Sequence, residues 1–268
     1  MRQLSVMQKA ALIIGFVLGF FRTYPQDDSS LLSKDTLVNV NEKNGGNTAI
    51  KTVLYATGYV GVTLLCYRYL DTDIKDLAQA NQNETVTSIA KTFEQLGTGT
   101  SNIIITAATG ATSLITKNKK LQKTTILLIG GHVINDIVTN QLKITFQRHR
   151  PNTGDPYNTF DWRGGPKENL SFVSAHTSNA FTTATAFATC FKDTKWVPIV
   201  AYSAASLVGL CRIYNNAHWA SDVLGGAAIG FGSVKAMNGI YALAKKRFSF
   251  IPQVDNGHYG FTVLYCLN

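Results

Sequence analysis

From Ile50 onward the chain is a succession of apolar segments of helical length, 50–69, 84–117, 123–148, 176–191, 196–212 and 219–245. Neither strand-type alternation nor a fixed-period repeat interrupts them, so the fold they predict is all-α, a helix bundle that buries the segments against one another. The length of 268 residues suits one large domain with a sizeable core. That helical domain is expected over 49–247. Ahead of it, residues 1–21 combine Arg2 and Lys9 with an apolar run from Ala10 to Phe21, the pattern of an export signal or N-terminal anchor, although no small-residue cleavage site follows. Residues 22–48 are polar, contain Asn-Gly-Gly-Asn near their end, and read as a linker. In the C-terminal piece, 248–268, FSFIPQV and YGFTVLYCL flank Asn256-Gly257, a hairpin signature.

A membrane span needs about 20 mostly apolar residues. Charges enter these segments sooner: Lys51 and Arg68 bracket the first, Asp136 sits in the third and Lys235 in the last. With a mean hydropathy of +0.03, the expectation is a soluble or peripheral bundle rather than six spans. Lys and Arg number 25 against 16 Asp and Glu, a formal charge of +9, which favours anionic partners: an anionic membrane surface or a phosphorylated substrate. Nucleic acid is disfavoured, because no stripe of basic residues interleaved with aromatics is present. Cys66, Cys190, Cys211 and Cys266 are scattered, without a C-x-x-C pair or a His at ligand spacing, so no zinc or redox site is expected.

Three clusters carry chemistry. In 143-KITFQRHRP-151, Lys143 and Arg150 are seven apart, two helical turns, and Pro151 would stop the helix; two cations so placed can embrace a tetrahedral anion. In 172-FVSAHTSN-179, Ser174 and the Ala175 N–H lie at a helix start, a ready anion site, with His176 in the first turn. In 212-RIYNNAHWASD-222, Asn215-Asn216 would break a helix and turn Arg212 and His218 toward one point, while Asp222 follows His218 by four residues. A carboxylate on one ring nitrogen fixes the tautomer and supports the charge that develops when the other attacks an electrophile. Each cluster alone has an ordinary structural reading. Together they fall at one end of the bundle, opposite the basic turns 117–123, 192–195 and 245–247. His132 and Asp136 repeat the i+4 spacing without a cation or helix start beside them and read as structural.

These stretches, KITFQRHRP, SAH at 174–176 and RIYNNAHWASD, resemble in order and separation the three signature motifs of the type 2 phosphatidic acid phosphatase superfamily, which also holds bacterial class A acid phosphatases and vanadium haloperoxidases. The likeness covers roughly Lys143 to Leu243. It implies that Lys143, Arg150 and Arg212 bind phosphate oxygens together with Ser174 and the Ala175 N–H. It also implies that His218 is the nucleophile forming a phosphohistidine, oriented by Asp222, and that His176 protonates the leaving alcohol. No metal or other cofactor is then required, though vanadate could occupy the phosphate site. The family usually reads Pro-Ser-Gly-His where this chain has Val173 and Ala175, so positive φ at Ala175 would cost about 1 kcal/mol; Cys211 stands where Ser is common. The implied function is hydrolysis of a phosphate mono- or diphosphate ester, foremost a lipid phosphate. The alternatives are a non-specific acid phosphatase on small soluble phosphoesters, a vanadium haloperoxidase, or an inactive phosphate-binding module. The loop 152–170 is expected to form a rim or lid. The implied location is the cell envelope or periplasm, with the histidines on the non-cytoplasmic side.

Overall fold

Short polar side chains set the helix boundaries. Asn83 accepts from the Val86 N–H at 2.8 Å, Thr98 from Ser101 at 3.2 Å, and Asn118 from Lys120 and Leu121 at 2.9 and 3.2 Å. Each satisfies N–H groups that a helix start leaves unpaired. In this computed structural model, residues 43–165, 169–255 and 258–265 are described; the expected export segment 1–21 and most of the expected linker lie outside them. The helices are α1 (Lys43–Tyr69), α2 (Asp71–Ala80), α3 (Glu84–Glu94), α4 (Gly99–Thr116), α5 (Lys119–Phe146), α6 (Ala175–Cys190), α7 (Trp196–Tyr214) and α8 (Ala220–Arg247). Strands β1 (Phe248–Asp255) and β2 (His258–Tyr265) pair antiparallel with Asp255 opposite His258, the hairpin the sequence places there.

Three boundaries differ from the sequence expectation. Helix α1 begins at Lys43, inside the stretch expected as linker through residue 48. The expected 84–117 helix is two, because a 3-10 turn at Gln95–Gly97 and the Thr98 cap restart the chain. There Gly97 lets this turn approach α6 so closely that a Cβ would stand 2.5 Å from the His176 carbonyl oxygen. Helix α2 was not expected; its Asp71 and Asp73 lie in the favoured first turn.

Helix α3 packs on α7, and α2 on α1, α7 and α8, with Gln79 and Gln82 donating to the Tyr214 carbonyl where α7 ends. At the opposite end a Lys120–Asp193 ion pair of 3.1 Å ties the α4–α5 turn to the α6–α7 turn. Helix α6 is the central element, packed against α5, α7 and α8. Its buried positions are mostly small: Thr177, Ser178, Thr182 and Thr185 with Ala180, Ala184, Ala186 and Ala188, beside Phe181 and Cys190. Their hydroxyls are satisfied locally, Thr182 and Thr185 donating to carbonyls four residues back at 2.9 and 2.7 Å.

The outer surface is the inverse. Large aliphatics on α1, α4, α5, α7 and α8 face outward, among them Leu64, Ile103, Ile115 (82% exposed), Ile137, Ile199 and Leu243. Small residues along α6 and aliphatics on the outer faces suit helices packed in hydrocarbon, where close backbone approach holds the interfaces. The expectation of a soluble bundle is therefore not supported. Counting charges per segment overlooks which face the aliphatics occupy, and Arg68, one of the interrupting cations, lies at a helix end. Among the described residues α7 is the one helix that is long and apolar enough by composition to cross a bilayer.

Gly226 of α8 lies on α6, where a Cβ would stand 2.6 Å from the Ser174 carbonyl oxygen. Gly226→Ala is expected to lower stability by about 1–3 kcal/mol, measured as a drop in the thermal midpoint of detergent-purified protein.

Candidate active site

Four helix ends meet at one end of the bundle: the carboxyl ends of α5 and α7 and the amino ends of α6 and α8. They bring together all the sequence-predicted residues, by routes that differ in part from the expected ones. Lys143 is in the last turn of α5, buried, with its ammonium donating to the Leu170 carbonyl. Arg150 is not two turns further along that helix. Helix α5 stops at Phe146, Gln147 takes a left-handed conformation (φ 44°), and Arg150 arrives on an extended segment before the Pro151–Thr153 turn. Its guanidinium donates to the Ala217 carbonyl at 3.3 Å. Arg212 closes α7, and the turn at Asn215-Asn216 is as expected, with Asn216 left-handed at φ 55°. The three cations are close enough for each to feel the others' charge, and His176 and His218 lie within the same field.

Ser174 is the N-cap of α6, accepting from the Thr177 N–H at 3.4 Å and the Thr177 hydroxyl at 2.9 Å. Its hydroxyl proton remains available to a ligand. Ala175 opens the helix and is not among the positive-φ residues, so replacing the family glycine introduces no backbone strain here. The first N–H groups of α6 have no intrahelical acceptor and carry the positive end of the helix dipole.

His218 is buried just ahead of α8. Its Nδ1 faces Asp222 Oδ2 at 3.7 Å and Ser171 Oγ at 3.4 Å, while Ser171 donates to the same carboxylate oxygen at 2.6 Å. Nδ1 is therefore held toward the carboxylate, and Nε2 is the nitrogen left for chemistry. Burial pushes the His218 imidazole down to about 3, against the pull of Asp222, so Nε2 carries a lone pair at neutral pH.

Behind Asp222 lies a residue that the three clusters did not single out as functional. Arg148 is fully buried, and all five of its N–H donors are used: Nη1 on Asp222 Oδ1 (2.6 Å) and Ser221 Oγ (2.8 Å), Nη2 on Asp71 Oδ2 and the Tyr157 carbonyl (both 2.7 Å), and Nε on Tyr157 again (3.0 Å). The Tyr67, Phe160 and Trp219 rings enclose the guanidinium. Its position within KITFQRHRP was visible, but its partner Asp71 is 77 residues away, with no local signal.

Glu94, at the end of α3, is the other unforeseen member. It accepts from Arg212 Nη1 and from Asn215 Nδ2 at 2.8 Å. Arg212 Nε is buried and has no hydrogen-bond partner among the described residues. A carboxylate on one side of the guanidinium and an unsatisfied N–H on the other describe an anion-binding group only partly neutralised.

The loop after Arg150 is a packed rim. Phe146, Phe160, Trp162 and Phe172 contact one another, and Tyr157 meets Tyr67 of α1 at 5.3 Å. His149 clasps the loop: Nδ1 meets Asp155 Oδ2 at 2.7 Å and Nε2 meets Asp161 Oδ1 at 3.0 Å. The pair expected to be structural lies apart: His132 contacts Thr183 at 3.2 Å and, with Asp136, lines a groove between α4, α5 and α6.

Glu94→Gln should tighten inhibition by inorganic phosphate several-fold, because Arg212 loses its competing carboxylate. Burial lowers the His149 pKa, but Asp155 and Asp161 outweigh it and the net shift is upward. A raised imidazole pKa contributes order below the ordinary value near 6.5 and loses it as pH climbs through the raised one. Hydrogen exchange of 152–165, corrected for intrinsic rate, should therefore quicken above that point in the wild type but not in His149→Gln.

Comparison with known proteins agrees with this geometry. Residues 124–246 match the PAP2 superfamily. A lipid A 1-phosphatase of Porphyromonas gingivalis is 48% identical over 61 residues, covering 22% of this chain and 14% of that protein. A lipid A 4'-phosphatase of the same organism is 26% identical over 140 residues, 48% of this chain and 58% of that protein. The chain thus spans less than two thirds of the length of either curated relative. Among solved structures, a transmembrane PAP2-type phosphatidylglycerolphosphate phosphatase from Bacillus subtilis superposes with a TM-score of 0.52 at 20% identity, over 70% of this chain and 96% of that one. LpxE of Aquifex aeolicus gives 0.51 at 21%, over 63% and 95%; at these identities the two show a shared fold. The motif order, the bundle and the family match agree, and residues 124–246 are those that resemble the PAP2 superfamily.

Proposed function

We propose that the chain is a membrane-embedded, metal-independent phosphatase that hydrolyses a phosphorylated lipid through a phosphohistidine. The observation that carries the chemistry is the partly neutralised Arg212: its buried Nε without a partner shares a field with Lys143, Arg150 and a helix amino terminus. A phosphate group matches these donors in charge and shape, since a guanidinium fork suits its oxygens.

With the phosphate held by these cations, Ser174 and the Ala175 N–H, His218 Nε2 attacks phosphorus. The N–P bond forms as the bond to the leaving oxygen breaks, and His176 gives that oxygen its proton. The dianion beside His176 favours the protonated ring by charge. Water then attacks the phosphohistidine, His176 takes its proton, the N–P bond breaks, and His218 is restored with inorganic phosphate released. Asp222 balances the charge on the ring while Nε2 is bonded to phosphorus. Fixed side-chain cations supply the charge stabilisation that a metal ion supplies in other phosphoryl transfers.

The outward aliphatics support a lipid environment, and the names of the two curated relatives point to a phosphorylated lipid as substrate. The basic turns at 117–123 and 192–195 lie at the end opposite the site, which under the positive-inside rule supports a site on the non-cytoplasmic side.

The test is phosphate release in detergent with EDTA present, from phosphatidic acid, a lipid A preparation and p-nitrophenyl phosphate. Wild type is expected to act on the lipids, and His218→Ala to lose about three orders of magnitude or more in kcat. Full activity in purified His218→Ala, or dependence on added metal, would overturn the reading.

A further inference from the structure

The family match begins at residue 124, yet the buried charge network behind the nucleophile is completed from outside it, by Asp71 at the start of α2. Asp71 Oδ1 accepts from the Ser221 N–H at 2.8 Å, and Oδ2 accepts from the Ser221 hydroxyl at 2.6 Å and from Arg148 Nη2 at 2.7 Å. It therefore caps the amino end of α8, the helix that carries Asp222, and holds one side of the guanidinium whose other side holds Asp222. All three ionic side chains are at most 1% exposed.

We propose that Asp71 is a positioning residue for phosphoryl transfer, setting through Arg148 how much negative charge Asp222 offers to His218. The inference rests on the proposed phosphatase reading. Arg148 paired with Asp222 alone would be a neutral couple, and the carboxylate would be spent on the guanidinium. Sharing the fork between two carboxylates leaves the cluster with one net negative charge. That charge is available at Asp222 Oδ2, the oxygen that faces His218 Nδ1 and accepts from Ser171 and the Trp219 N–H. It opposes the positive charge that grows on the imidazole as Nε2 bonds to phosphorus. Because every N–H of Arg148 is engaged, the arginine acts on the reaction only through these carboxylates and does not reach the phosphate.

The effect is confined to the nucleophile. In Asp71→Asn the cluster becomes neutral and His218 loses basicity, each unit of which is about tenfold in rate if fully expressed. The expected result is a fall of about tenfold or more in kcat and in the rapid-quench rate of phosphoenzyme formation. KM and the inhibition constant of inorganic phosphate should stay within about twofold, because Lys143, Arg150 and Arg212 are untouched. A merely structural role would lower active fraction or anion binding instead. Ser221→Ala removes the hydroxyl bridging Arg148 and Asp71 while leaving all charges, and serves if Asp71→Asn does not fold. It should show the same split at smaller size, with Asp193→Asn at the far end of the bundle as the unaffected control. Wild-type kcat in either folded variant, or a KM and phosphate-inhibition change without a kcat change, overturns the inference. Absence of phosphate release from wild type itself overturns the phosphatase reading, and the inference with it.

Discussion

One guanidinium organises the end of this bundle where the histidines meet. Arg148 is fully buried, and a buried cation is tolerable only when its donors are all met and its charge is answered. Satisfying it requires α2 to supply Asp71, α8 to supply Asp222 and Ser221, and the loop at Tyr157 to supply a carbonyl. Those demands tie the start of α2 to the entry of α8 and hold the rim loop against Arg148. Removing one charged partner from such a group leaves an uncompensated buried charge, a cost of about 3–5 kcal/mol. The geometry of His218 follows, because Asp222 is held from behind and Ser171 from the side.

The site separates two kinds of cation. Arg148 has both carboxylates and no unused donor. Among the described residues Arg212 is left half satisfied, with Glu94 on one face and an unpaired Nε on the other, and Arg150 donates to a carbonyl at 3.3 Å. The difference in partners assigns the first to holding the protein together and the others to an arriving anion. Glu94 matters in the same terms: three cations facing one space repel one another, and a neighbouring carboxylate relieves that repulsion until an anion takes its place.

The bundle interior serves the site through small residues. Alanine, threonine and serine on α6, and glycine on α8 against it, bring backbones close enough that the α6 amino end and the α8 entry share one hydrogen bond, from the Ser174 N–H to the Asp222 carbonyl at 3.1 Å. Larger side chains there would part the two helices and with them the anion site and the nucleophile. The aliphatics displaced from this interior face outward, which suits a lipid surround.

The sequence alone determined the helical class, the terminal hairpin, the break at Asn215-Asn216, and the identity and shared location of Lys143, Arg150, Ser174, His176, Arg212, His218 and Asp222. These were legible because periodicity, turn chemistry and motif spacing are local, and because the motif resemblance tied three distant stretches together. It misjudged how Arg150 reaches the site, since the left-handed Gln147 that ends α5 carries no glycine signal, and its lean to a soluble bundle is not supported, since segment composition does not reveal which face packs inward. Only the tertiary structure decided the roles of Asp71, Arg148, Ser171 and Glu94. Their charged partners lie between 51 and 118 residues away, and burial and charge act through space, where the order of residues along the chain leaves no mark.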